Sequence, residues 1–252
     1  MPRPPNNRPR PLGRGRASHS LEQILATAIG ILDRTGPRGL TLRGLAAELG
    51  GGLGSIYWYV DGKDELLALA CDALVAEALT QAEAAADTPA DGPDCGASDP
   101  AHLAALAEIR RTAMAFFEQT QEHPWLALQL QLQGGDSPAG LRYWDRVGHQ
   151  VAAMGLTVRQ QFDGSTAIIG YVGGVAAEMA AQDLQADRTR PKEEQLAEVA
   201  AHWSAAEAGL TWLPTIADEF RHHDDRDQFL AGLDLLLSGL VRQAATAKAH
   251  TP

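Results

Sequence analysis

Tyr57, Trp58 and Tyr59 stand side by side between a glycine-rich turn, LGGGLG (49–54), and a lysine at Lys63. Their rings can pack on sugars and thymine methyls, and a tyrosine hydroxyl can hydrogen-bond to a base or a phosphate. Arg43 before the turn and Lys63 after it can neutralise phosphates. At about 100° per residue, a helix here puts Leu53, Ile56, Tyr57 and Val60 on one face. Gly54, Ser55, Trp58 and Tyr59 fall on the other face, so Trp58 and Tyr59 are expected to point outward.

Other chemistry finds little footing. His222, His223, Asp224 and Asp225 form an HHDD run that could invite a metal, but adjacent histidines ahead of a helix are expected to be solvated. The other six histidines make no HExxH spacing and have no cysteine partner. GGGLGS lacks the Gly-Lys-Ser/Thr ending of a phosphate-cradling loop and follows no strand. No GxSxG nucleophile pattern is present. Cys71 and Cys95 show neither metal nor redox spacing, which fits a reducing cytosol. No enzyme activity, metal or cofactor is expected.

The elements that must position the aromatic run are helical. Ser20 and Gln23 form a capping box, and Leu21, Ile24, Leu25, Ala28 and Leu32 follow at helical spacing. TGPRG (35–39) ends that helix. Thr41 caps a second helix with Leu42, Leu45, Ala46 and Leu49 on one stripe, and Gly50–Gly52 stop it. A third helix is expected over Leu53–Val60, and a fourth from Asp61 and Asp64 to about Ala86, with acids at its positive end. A Pro/Gly linker, Asp87–Pro100, comes next. Further helices are expected at Ala101–Glu122, Pro124–Gln133, Leu141–Met154, Val158–Gln185, Glu193–Ala208, Leu213–Phe220 and Arg226–Thr246, with a second capping box at Thr157 and Gln160. No stretch alternates with period two, so the expected fold is all-α.

Charge is divided along the chain. Residues 1–63 carry nine Lys/Arg and four Asp/Glu, whereas the rest carry twelve and twenty-eight. The net charge of −11 therefore hides a basic head, the end suited to phosphates. Residues 1–19, with five arginines, five prolines and no acid, are expected to be a disordered arm that adds minor-groove or phosphate contacts. No apolar run reaches the roughly 18 residues of a membrane helix, and the N-terminus lacks a signal-peptide core. A cytoplasmic protein with no membrane partner is expected.

Three positions turn a helical hairpin into a helix-turn-helix. Ala46 is small where the two helices cross, Gly50 tolerates positive φ four residues later, and Ile56 anchors the second helix, leaving its outer face for a major groove. The stretch GLTLRGLAAELGGGLGSIYWYVDGKDELL (39–67) resembles the TetR family of bacterial transcriptional regulators, in its tetracycline-repressor-like branch. AMAFF (113–117) and QFLAGLDLLLSGL (228–240) are similar to that branch's C-terminal domain. The resemblance implies a helix-turn-helix domain at 20–66 and a helical ligand-binding and dimerisation domain at 67–252. It assigns DNA contacts to Arg43, Ser55, Tyr57, Trp58, Tyr59 and Lys63. Ser55 could donate to phosphate or base. Leu53, standing where a polar base reader is common, shifts weight to phosphates and DNA shape.

The resemblance further implies a homodimer on a palindromic double-stranded operator, released by a small molecule that favours another head spacing, with the fourth helix as lever. GYVGG (170–174) places Gly170 and Gly174 four apart, as in closely packed helices. With the apolar last helix it is assigned to the dimer interface. By the same alignment Thr112, Phe116, Gln131, Trp144, Tyr171, Val175 and Met179 line the ligand pocket. Leu79 and Leu130 replace the histidines with which the tetracycline branch holds its drug and magnesium, so a mostly apolar or aromatic effector is expected. The competing expectation is a helical protein-interaction module in which Trp58 and Tyr59 dock on another protein.

Overall fold

The computed structural model describes residues 19–86, 97–133, 136–185, 189–205 and 209–249. Residues 1–18 of the arm expected at 1–19, most of the linker, Cys95 and residues 206–208 lie outside them. Every regular element among the described residues is a helix: α1 Leu21–Gly39, α2 Leu42–Glu48, α3 Leu53–Tyr57, α4 Lys63–Ala84, α5 Pro100–Glu122, α6 Trp125–Gln133, α7 Pro138–Ala153, α8 Val158–Gln185, α9 Lys192–Ser204, α10 Leu213–His222 and α11 Asp225–Ala249. The chain divides into two compact units, Met1–Leu66 and Leu67–Pro252.

In the first unit, both halves of the Ser20–Gln23 capping box are formed. Gly36, at φ 67° and ψ 177°, breaks the helical path inside α1, a conformation closed to residues with a Cβ. The TGPRG segment thus ends the straight helix, and Pro37 opens one more turn. Thr41 Oγ1 accepts from Gly44 N at 3.0 Å and caps α2. At the other end Gly50 adopts φ 66°. Gly51 N–H donates to Ala46 O and Gly50 N–H to Ala47 O, the double closure that a left-handed residue after a helix permits. Ile24, Ala28, Ile31, Leu32, Leu40, Leu45, Ala46, Ile56, Val60 and Leu66 are buried. Arg34 bridges both oxygens of Glu48 at 2.7 and 2.9 Å, tying α1 to α2.

The second unit is a helical body. Asp99 caps α5 through Ala101 N, and Ser137 caps α7 through Gly140 N, so α5 and α7 both begin on prolines earlier than the periodicity suggested. The Thr157–Gln160 capping box precedes α8. The core of this unit spans α4, α5, α6, α7, α8 and α11. Phe229 of α11 stacks on Phe117 at 4.4 Å and on Tyr171 at 5.8 Å. Phe229, Leu233, Leu237 and Leu240 form the buried stripe of α11, while Leu235 is 76% exposed. Gly170 and Gly174 are exposed and would meet nothing within 4 Å if given a Cβ, so within the chain they serve no close helix crossing.

Candidate functional site

α3 is a five-residue helix after the glycine turn, and Ile56, fully buried, anchors it. The expected helix through Val60 stops at Tyr57 and continues as a turn, with Tyr59 N–H donating to Ile56 O at 2.9 Å. That changes which rings are displayed. Tyr57 and Trp58 are 48% and 49% exposed, whereas Tyr59 is half-buried with its hydroxyl donating to His19 O at 2.9 Å. The helical wheel had placed Tyr57 inward and Tyr59 outward. Both placements are corrected, because a helix this short ends before a wheel can assign its last residues.

The polar members are also set locally. The Ser55 hydroxyl donates to Gly52 O at 2.7 Å, so its proton is engaged inside the turn and its lone pairs remain to accept, contrary to the expected donor role. Arg43 is exposed on the first turn of α2 and Lys63 half-exposed at the first position of α4. Asp61 N–H is satisfied by the Glu65 carboxylate. The outer surface of this unit thus offers Tyr57, Trp58 and Arg43, with Gly54 presenting bare backbone. Two exposed aromatic rings can pack on sugar and base edges, and the exposed Arg43 guanidinium on α2 can meet phosphate.

In the second unit the seven expected pocket residues do not converge. Phe116, Gln131 and Trp144 line a cavity of about 270 Å³ with Val75, Leu130, Tyr143 and Val172 among its other walls. Tyr171, Val175 and Met179 line a different cavity, of about 640 Å³, against Trp203, Phe220 and His223. Thr112 lines neither and is buried in α5 one turn before Phe116. The reason is rotation along α8. Ile169, Val172 and Gly173 face the smaller cavity, and Tyr171, Val175 and Met179 face the other. Sequence reasoning missed Tyr143, whose ring lies 5.4 Å from Phe116. Its signal was the Tyr-Trp pair in an amphipathic helix, which alone does not say which ring turns inward.

A third, polar cleft of about 740 Å³ lies along α4, α5 and α7. Arg146 of α7 donates to Glu108 Oε1 at 2.7 Å, Glu83 Oε1 at 2.9 Å and the Leu79 carbonyl at 3.5 Å, and Arg111 also pairs with Glu108. Burial pushes the Cys71 thiol up to about 12, which keeps it protonated and unreactive. His222 and His223 each engage a backbone carbonyl in their own turn, and among the described residues no three His, Cys, Asp or Glu are grouped to hold a metal. No described helix is long and apolar enough to cross a membrane.

A capped, glycine-turned helix pair displaying aromatic and basic side chains, followed by a helical body with cavities, defines a helix-turn-helix regulator. Comparison with known proteins gives the family. Residues 102–244 match the family described as Tetracyclin repressor-like, C-terminal domain. The HTH-type transcriptional repressor DrrR1 of Streptomyces coeruleorubidus is 30% identical over 223 residues, covering 88% of this chain and 77% of that one. The solved structure of SCO7222, a TetR regulator from Streptomyces coelicolor, superposes with a TM-score of 0.71 at 37% identity, over 89% of this chain and 99% of that one. Apo ActR from the same organism shares the fold, with a TM-score of 0.69 at 22% identity over 92% and 100% of the two chains. The chain belongs to the TetR family of transcriptional regulators. It is a DNA-binding regulator of transcription and not an enzyme.

Proposed function

We propose that the chain is a cytoplasmic homodimeric repressor. Two copies of the Met1–Leu66 unit grip a palindromic double-stranded operator, and a small, mostly apolar or aromatic molecule held in residues 67–252 releases it. The observation that carries this reading is the exposed Tyr57–Trp58 pair at the end of α3, in the basic end of the chain that also exposes Arg43 on α2. Arg43, Ser55, Tyr57, Trp58 and Lys63 make the DNA contacts. Tyr59 contributes by holding the start of α1.

Other features support the remaining parts. A single short recognition helix reads only a few base pairs, and two of them about 34–36 Å apart read a palindrome. Exposed Gly170 and Gly174 on α8 and exposed Leu235 on α11 give a small-residue and apolar surface suited to a second copy. ActR, a protein of this fold, has been solved in complex with actinorhodin, which supports a small-molecule effector here. α4 runs without interruption from Lys63 to Ala84 and belongs to both units, so it is the element through which ligand and DNA states are coupled.

The test is fluorescence anisotropy of the purified protein on duplex DNA from upstream of its own gene, against an unrelated duplex of equal length, over a salt series. Specific binding with a steep salt slope, about −0.9 per phosphate contact, is expected. Equal, salt-insensitive binding to both duplexes, repeated on pooled random duplexes, would replace the DNA contacts with a protein-docking role for Tyr57 and Trp58.

A further inference from the structure

The cavity of about 640 Å³ joins aromatic walls to negative charge that nothing balances. Its volume lies within the ~300–1,000 Å³ of ligand pockets, which the smaller cavity does not reach. Three helices bring rings to it: Tyr171 from α8, Trp203 from α9 and Phe220 from α10, with the Trp203 and Phe220 ring centres 4.2 Å apart. The Tyr171 hydroxyl already donates to Phe229 O at 3.0 Å, so this residue offers its ring. Three carboxylates line the cavity, Glu178, Glu219 and Asp225, and no Lys or Arg does. Asp225 is engaged: it pairs with Lys192 and lies 3.4 Å from Nε2 of His223. Glu178 and Glu219 are exposed, so an entering molecule can reach both. Among the described residues Glu178 meets the neutral Gln182 amide at 3.5 Å, and neither glutamate has a cationic partner. Aromatic faces and carboxylates both attract positive charge, and both repel an anion. No three metal-ligating side chains are grouped among the described residues, so the charge they suit belongs to an organic molecule.

We infer that this cavity binds an organic cation with a flat aromatic body, and that Glu178 and Glu219 select the sign of its charge while Trp203, Phe220 and Tyr171 hold its rings. As the identity of the effector, this rests on the proposed reading that a small molecule held in residues 67–252 releases DNA. The two contributions differ in kind. The glutamates stand in water, so their attraction is modest and screened by salt. The rings attract the same charge at short range, where it has left water, and salt weakens that part less.

The test is equilibrium dialysis of three probes of matched shape against the full chain: (2-naphthylmethyl)trimethylammonium, its neutral carbon isostere 2-neopentylnaphthalene, and 2-naphthylmethanesulfonate. At low salt the cation is expected to bind about tenfold more tightly than the hydrocarbon, and the sulfonate weakest. In the double variant Glu178→Gln with Glu219→Gln, cation affinity should fall about fivefold, hydrocarbon affinity should hold, and the melting temperature should stay, because both side chains are exposed. Glu122→Gln with Glu193→Gln removes the same charge from exposed positions outside the cavity and should leave cation affinity within about twofold. Equal losses in the two double variants would assign the attraction to the acidity of the whole chain and overturn the inference. So would hydrocarbon or sulfonate binding as tightly as the cation, undiminished cation binding without Glu178 and Glu219, or no binding of any probe. Operator anisotropy on the same samples separates the two levels. Cation binding without DNA release would leave the site standing and sink its role as the effector site. DNA release by other compounds without cation binding would overturn the inference and leave the proposed function intact.

Discussion

Gly50 holds the turn between α2 and α3 by backbone conformation alone. At φ 66°, a Cβ there would meet no atom within 4 Å, so any cost of substitution is conformational and not steric. Gly50→Ala is therefore expected to lose about 1–2 kcal/mol in urea denaturation, with Gly50→Asn losing less. Gly52 is the control: it is equally open but sits at φ −82°, so Gly52→Ala should stay within about 0.5 kcal/mol. Equal losses at both would mean that the left-handed turn is not what holds α3. Lys63 belongs to this scale as well. Lys63→Ala should weaken binding to every duplex and flatten the salt slope by about 0.9, the signature of one phosphate contact. Unchanged affinity and slope would remove it from the interface.

Among the elements, α4, α5 and α7 are joined by one side chain. Arg146 reaches Glu108, whose side chain is 15% exposed, and Glu83, which is 70% exposed. The two ends should behave differently, because an ion pair in water is screened and one removed from water is not. Arg146→Met leaves Glu108 with Arg111 alone and is expected to cost about 1–3 kcal/mol of stability in chemical denaturation. Glu83→Gln, at the wet end, should change stability by less than about 1 kcal/mol. If both variants match the wild type, the bridge is ornament to packing that α5 and α7 already make through Phe116 and Tyr143.

For the whole molecule, the decisive quantity is the number of recognition helices presented together. Leu235 is exposed on α11 beside the buried Leu233 and Leu237, so a change there touches little of the monomer's core. Leu235→Glu is expected to leave helicity by circular dichroism intact while shifting sedimentation to the monomer and abolishing operator binding. A dimer that survives the substitution would place the interface elsewhere. The same charge asymmetry that makes the head basic makes the remaining chain strongly acidic, which should repel DNA everywhere but at the head and sharpen the salt dependence.

Much of this protein is legible in the chain because its determinants are local. Ser20 with Gln23 and Thr157 with Gln160 cap helices through neighbours three residues away, and Gly50 turns the chain where only a residue free of Cβ strain goes easily. Ala46, Gly50 and Ile56 sufficed to mark the helix-turn-helix, and the divided charge to mark its basic end. The sequence by itself determined the helical class, the order of the elements and the helix-turn-helix motif. What it left undecided depends on partners far away in the chain. Tyr59 is drawn in by a carbonyl forty residues earlier, and Tyr57 is left out because α3 ends beneath it. Phe116, Trp144 and Tyr143 share a wall only because α5 and α7 pack together, while Tyr171 turns to another cavity on the opposite side of α8. Helical periodicity says that a face is apolar. Only the packing of that face against others decides whether it fills a core, lines a cavity or leaves a hydroxyl such as that of Tyr143 unpaired.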